Sequence, residues 1–277
     1  MPEGDGEMKA KGLIEESMTT LATAVPDLEF TGERIVPGKT AENLFREHEE
    51  RYVFAGQHVS GKDVLDVACG TGVGTAFLRE AGARKVWGLD IDPDAIAFAK
   101  ARYAECEFAQ SDATALCLSD GSVDVVVSFE TLEHLQDQRK FLLECRRVLR
   151  PGGMLICSTP NAAVYQWYGT NPFHVREHTA HEFVSLLSDY FVDLCLFSQR
   201  ERVYPLFILR RVVSRSLDRL KLKGQVMRIL GMNVPPQAMR GKFSANAANL
   251  TRNVRPDKGT WMKQATYLIA ICRKNYN

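Results

Sequence analysis

The sequence predicts a doubly wound α/β fold, and three observations carry that prediction. An apolar run, Val64-Leu65-Asp66-Val67, enters the glycine turn Ala68-Cys69-Gly70-Thr71-Gly72-Val73-Gly74. A second apolar run, Val86-Trp87-Gly88-Leu89, closes on an acid, Asp90, eighteen residues after Gly72. Two further apolar runs, Val123–Phe129 and Met154–Ser158, are too short for helices and read as strands. Strand, glycine turn, helix, strand and acid make a βαβ unit. Its turn lets a ligand approach bare backbone, and its acid reaches ribose hydroxyls.

The elements follow in order. Residues 1–28 mix charged and small residues without sustained periodicity, which predicts a leader with at most one loose helix. Phe30–Gly38 is a turn-rich loop. Ala41 to Val59 reads as a helix with Leu44, Tyr52, Ala55 and Val59 on its apolar side and acids opposite. After the βαβ unit, Gln110-Ser111-Asp112-Ala113 ends a short third strand, and Ser122–Phe129 is the fourth. Arg147 to Gly153 reads as helix end and Pro-Gly-Gly turn before the fifth strand. The segment Thr159–Glu177 holds Tyr165, Trp167, Tyr168 and Phe173, and leaves the carboxyl end of a strand, where open α/β sheets bind ligands. Thr179-Ala180-His181-Glu182 is a capping box opening a helix through Tyr190, which makes His181 an exposed first-turn residue. Phe191–Phe197 and Trp261–Cys272 read as the last two strands.

The βαβ spacing alone also suits NAD. A dinucleotide turn wants a third glycine three positions after Gly72, however, and Thr75 stands there. Asp66 at the strand end would repel a pyrophosphate and would tolerate a ligand with a cationic centre. Asp66-x-x-x-Gly70-x-Gly72 resembles motif I of the class I S-adenosylmethionine (SAM) methyltransferases, of the type 11/23-like kind. The resemblance runs from about Gly61 to Phe191. It implies a seven-stranded Rossmann-like sheet with an N-terminal leader helix, SAM as cofactor, and an antiparallel closing pair of strands. It also implies that Asp90 binds ribose and Asp112 meets the adenine amino group, with Ala68, Ile91, Ala113 and Ser128 beside them. Arg34, Arg51 and Tyr52 fall where such families cover the cofactor. They are candidates to meet its carboxylate or close the site.

With 277 residues and 45% hydrophobic content, the chain can bury one large core and spare length for a lid. The formal charge of +1 hides an asymmetry. Residues 200–258 carry fourteen Lys/Arg against three Asp/Glu, a local net of +11 that leaves −10 on the rest. Such clustering points to an anionic partner, either a phosphorylated or glycan acceptor or a membrane surface, with nucleic acid disfavoured; a solvated face is the bland alternative. The seven cysteines lack Cys-x-x-Cys spacing, which argues for reduced thiols and a cytoplasmic location rather than disulfides or zinc. Cys69, Cys157 and Cys195 read as small core residues. The expected organisation is a leader and cap helix (1–60), a SAM-binding core (61–199), a basic insertion or lid (200–258) and a final core strand (259–277).

Directly after the fourth strand stands Glu130-Thr131-Leu132-Glu133-His134. If these residues open a helix, two carboxylates and an imidazole share one face. Phe173-His174-Val175-Arg176-Glu177-His178 brings further imidazoles to the same rim. The pattern resembles the metal site of small-RNA 3′-end 2′-O-methyltransferases, with Glu130, Glu133, His134 and His174 in the ligand positions. The flanks depart from that family, since Arg176-Glu177-His178 replaces its Phe-Glu-Trp. Mixed carboxylate and imidazole ligands suit Mg²⁺, Mn²⁺, Fe²⁺ or Zn²⁺. Without a metal, His134 or His174 would be the general base. The function expected is O-methylation of a sugar or glycan-precursor hydroxyl. A quinone, polyketide or RNA-terminal acceptor, or a non-catalytic SAM-fold subunit, remains the alternative.

Overall fold

Val64, Leu65 and Val67 of β1 (Asp63–Val67), with Val125, Val126 and Val127 of β4 (Val123–Phe129), are almost wholly shielded from solvent, which marks these strands as buried on both faces. In the computed structural model, which describes residues 28–29, 34–165, 171–199, 254–256 and 265–276, these two lie side by side at the middle of one sheet. β2 (Lys85–Asp90) and β3 (Glu107–Gln110) extend it in parallel on one flank, and β5 (Leu149–Pro160) on the other. Beyond β5, β8 (Tyr267–Arg273) runs antiparallel, followed by β6 (Val192–Gln199) and the three-residue β7 (Val254–Pro256). The order is β3-β2-β1-β4-β5-β8-β6-β7. The expected seven-stranded arrangement is present, and β7 adds an eighth strand from within the predicted insertion. The remainder of that insertion and the leader lie outside the described residues.

Helices cover both faces. On one side, α1 (Glu42–Gly56) and α2 (Val73–Glu80) bury Phe54, Ala55 and Leu78 against Val64, Val86, Val127 and Ile156. On the other, α4 (Gln138–Val148) and α6 (Ala180–Ser188) bury Phe141, Leu142, Phe183 and Leu187 against Leu65, Val126 and Leu155. Between them in sequence come α3 (Pro93–Arg102), started by an Asp92 side-chain cap, and the four-residue α5 (Ala162–Tyr165). The predicted capping box at Thr179 and Glu182 starts α6, and His181 is exposed. Strand order reverses between β1 and β4, so the crevice at their carboxyl ends is where this architecture receives a ligand.

Two expectations fail here. Of the acids of α1 only Glu42 faces solvent: Glu47, Glu49 and Glu50 are buried, and Arg51 is fully so. Arg51 lies over the Tyr267 ring at 4.5 Å and donates from Nη1 to Gln199 Oε1 at 2.7 Å. Gln199 Nε2 in turn donates to Glu47 O and Glu50 Oε2. Part of the polar side of the helix therefore packs on the ends of β6 and β8, a partner that its own periodicity could not announce. Cys195 is exposed rather than core, because the outer part of β6 is open to solvent.

Candidate cofactor and acceptor site

The turn after β1 is built from left-handed residues, with Ala68 at φ 59°, Gly70 at 54° and Gly72 at 77°. Gly72 backs onto the core: a Cβ there would sit 2.8 Å from Ala99 and 2.9 Å from Phe108. Gly74 makes room for Tyr52, whose ring a Cβ would meet at 1.9 Å. The Tyr52 hydroxyl donates to Asp66 Oδ1 at 3.1 Å, and Thr75 Oγ1 donates to Asp66 Oδ2 at 2.7 Å. Thr75, the residue that broke the dinucleotide pattern, thus secures the strand-end acid. Asp90 accepts from Gly70 N (2.8 Å) and Asp92 N (2.9 Å), so it orders the turn while facing the crevice.

A cavity of about 410 Å³ opens there. One end is lined by Ala68, Gly70, Asp90, Ile91, Asp112 and Ala113, six of the positions expected to hold the cofactor. Arg34 lines it too and pairs with Asp92, strapping the preceding loop across the turn. Tyr52 forms part of the wall, its ring edge-on to Phe129 at 5.1 Å. Four expected contacts lie behind the lining instead. Arg51 is occupied with Gln199 and Tyr267. Asp66 and Gly72 support the turn from beneath. Ser128 is buried and donates to Val67 O and Thr131 Oγ1, tying β4 to β1.

The other end is lined by Glu130, Glu133, His134, Asn171, His174 and Tyr267. Glu130 to His134 do not open an α-helix. Glu130 takes a left-handed φ of 55°, and only a 3₁₀ turn, Leu132–His134, follows. The expected shared helical face is therefore absent. Glu130 Oε1 instead accepts from Ser158 Oγ at 2.6 Å, while ligand atoms of Glu133, His134 and His174 still converge within 4.8 Å. Glu130 faces the cavity outside that trio.

Glu133 is fully buried. Its Oε2 accepts from Thr159 Oγ1 at 3.1 Å, whereas Oε1 has no hydrogen-bond partner among the described residues. Burial, reinforced by Glu130, holds its carboxyl well above the usual carboxylate range. His134 Nδ1 lies 3.1 Å from Phe173 O; a carbonyl only accepts, so Nδ1 carries a hydrogen, and in the neutral ring Nε2 holds the lone pair. That Nε2 faces Glu133 Oε1 at 3.9 Å. His174 Nδ1 meets Glu177 Oε1 at 2.6 Å, and Asn171 Nδ2 meets His174 Nε2 at 3.0 Å. Asn171, Tyr267, His48 and Glu49 were missed as lining residues. Asn171 stands two residues before the Phe173-His174 pair, whereas the others reach the cavity only through the packing of α1 and β8.

The methyltransferase domain model matches residues 65–157, spanning this turn and its acid. A Mycolicibacterium smegmatis protein named "Probable S-adenosylmethionine-dependent methyltransferase" is 44% identical over 171 residues, which are 60% of this chain and 65% of that one, just under two thirds of its length. A Mycobacterium tuberculosis protein of the same description is 43% identical over 192 residues, 68% of this chain and 69% of that one. The chain belongs to the SAM-dependent methyltransferases. Among solved structures, a Thermotoga maritima SAM-dependent methyltransferase superposes with a TM-score of 0.56 at 14% identity, covering 84% of this chain and 91% of that one. The cyclase SpnF superposes at 0.53 with 17% identity, covering 97% and 96%. At such identities these two speak for the fold alone. The small-RNA resemblance receives no support from these matches. No described helix of this methyltransferase is long and apolar enough to cross a membrane.

Desolvation raises the Asp66 carboxyl to about 7, against the pull of the Thr75 and Tyr52 hydrogen bonds. A cationic cofactor would favour the ionised acid. SAM affinity is therefore expected to rise as pH climbs from 6 to 8, with proton release visible as a buffer-dependent binding enthalpy. Stability of the ligand-free methyltransferase should move the other way, falling as pH passes from the unfolded carboxylate range up through about 7. Calorimetry showing pH-independent SAM binding by wild type, indistinguishable from Asp66→Asn, would contradict this linkage.

Proposed function

We propose that this methyltransferase moves the SAM methyl group to a hydroxyl of a sugar or glycan precursor. The observation that carries the reading is the convergence of Glu133, His134 and His174 on the wall of the cavity. Glu130, Asn171 and Tyr267 complete a wall of hydrogen-bonding groups suited to a polyhydroxylated ligand. An apolar ring would desolvate these groups and return no hydrogen bonds.

A sugar hydroxyl is a weak nucleophile whose proton must leave as the carbon–oxygen bond forms. The acceptor oxygen attacks the methyl carbon in line, the carbon–sulfur bond breaks, and its electron pair stays on sulfur. The hydroxyl proton passes to His134 Nε2, and Glu133, its own proton released to solvent as the cationic cofactor binds, faces the imidazolium that results as a carboxylate. The buried unpartnered Glu133 Oε1 and the carboxylate–imidazole donor set also fit a divalent cation, held by Glu133, His134 and His174. Such an ion would lower the hydroxyl pKa. The +11 charge of residues 200–258 would meet an anionic part of the acceptor or an anionic membrane surface.

A second reading follows from relatives' names. A Cereibacter sphaeroides protein named ubiquinone biosynthesis O-methyltransferase is 35% identical over 105 residues, 36% of this chain and 42% of that one. Radiolabelled SAM offered with sugar and with quinol acceptors, with and without chelator and across salt, separates the two. Alkali-stable label on the sugar supports the proposal. Label on the quinol alone, or SAM bound with no acceptor labelled, defeats it.

A further inference from the structure

Gln138, the first residue of α4, is buried and uses its amide on both sides. Nε2 donates to Leu132 O at 2.8 Å and to Arg176 O at 3.3 Å, while Oε1 accepts from His178 Nε2 at 2.7 Å. Leu132 belongs to the turn that carries Glu133 and His134. Arg176 and His178 belong to the loop that carries His174. One side chain therefore clips the two loops together. Between them, Glu133 O accepts from Val175 N (2.7 Å) and Arg176 N (3.1 Å), and Phe173 O accepts from His134 Nδ1. His178 O accepts from Ala162 N at 2.9 Å, which anchors the clip just beyond β5.

Packing alone does not account for this pair. His178 is 2% exposed and its Nδ1 has no partner among the described residues, a feature that two apolar side chains of similar volume would avoid. Burial, with the nearby Arg176 cation, lowers its pKa and keeps the ring neutral. Its single hydrogen, on Nε2, is committed to Gln138.

We infer that Gln138 and His178 are positioning residues: their hydrogen bond locks the register of the two acceptor-side loops and thereby fixes the Nδ1-protonated tautomer of His134. The inference rests on the proposed function for its catalytic consequence and on the hydrogen-bond geometry for the tautomer. With the loop held, Phe173 O stays opposite His134 Nδ1, and the lone pair stays on Nε2 toward Glu133. An imidazole that loses such a carbonyl samples both tautomers.

Imidazole ¹⁵N spectra of the full chain test this without an acceptor. Wild-type His134 should appear as the Nδ1–H tautomer, and Gln138→Met as a mixture with Nε2–H. In the labelled-SAM assay kcat should fall about 10- to 100-fold, the range for losing an outer-shell hydrogen bond to a site imidazole, while KM for SAM stays unchanged. If Gln138→Met fails to fold, Gln138→Glu keeps the volume and the bond from His178 but cannot donate to both carbonyls. It should give the same spectral mixture. Nε2-protonated His134 in wild type, or a folded variant with an unaltered His134 spectrum, would overturn the lock. An altered spectrum with unaltered kcat would uphold the lock and count against His134 as the base in the proposed function.

Discussion

Glu133→Gln is expected to cut methyl transfer by about 10²- to 10⁴-fold, the range for losing a general acid–base partner, with SAM affinity at its wild-type value. The carboxamide keeps the shape and can still accept from Thr159 Oγ1. What it cannot do is ionise. In the resting site, burial and Glu130 push the Glu133 carboxyl toward its neutral form. With the cationic cofactor or a divalent ion bound, its proton leaves to solvent and the ionised form faces either the imidazolium that forms on His134 or the metal. The carboxylate then interacts more strongly as the reaction proceeds than before it, which is what lowers a barrier. Excess Mn²⁺ separates the two versions: rescue of Glu133→Gln points to lost metal affinity, and full wild-type activity in chelator points to His134 acting alone. Wild-type turnover by Glu133→Gln would remove the trio from the chemistry.

Asp90→Ala should weaken SAM binding by about 10- to 100-fold, the equivalent of roughly 1.5–3 kcal/mol for hydrogen bonds to a charged group. Two losses combine. The ribose hydroxyls lose their acceptor, and the backbone donors of Gly70 and Asp92 lose the carboxylate that orders the turn. Asp90→Asn retains one acceptor oxygen and should lie between the two. Calorimetry showing wild-type affinity in Asp90→Ala would displace ribose from this edge of the cavity.

The sheet was legible because its information is local. Valine-rich runs bounded by turn residues, a glycine turn and a following acid each declare themselves within ten residues, and together they set strand order through the handedness of the crossovers. Asp90, Asp112 and Ile91 line the cavity for the same reason: each sits at or just past a strand end. Errors arose where a side chain's environment comes from distant sequence. Arg51 looked like a ligand contact until β6 and β8 supplied Gln199 and Tyr267. Ser128 at the end of β4 turned inward to Val67 O. Glu130, Glu133 and His134 had helical spacing, but the left-handed Glu130 broke the helix before it began, and the trio forms through His174 from another loop. The Gln138–His178 pair gave no sequence signal, since a polar residue at the start of a helix is ordinarily exposed.

The central claim is that one cavity joins a SAM site at Gly70, Asp90 and Asp112 to an acceptor site at Glu133, His134 and His174. A crystal structure with S-adenosylhomocysteine tests it most directly. The account predicts ribose hydroxyls on Asp90, adenine beside Ile91 and Asp112, and the thioether sulfur facing the trio across a gap that a methyl group and one acceptor oxygen would fill. Adenine or ribose away from Asp90, or sulfur directed away from Glu133, His134 and His174, would contradict it.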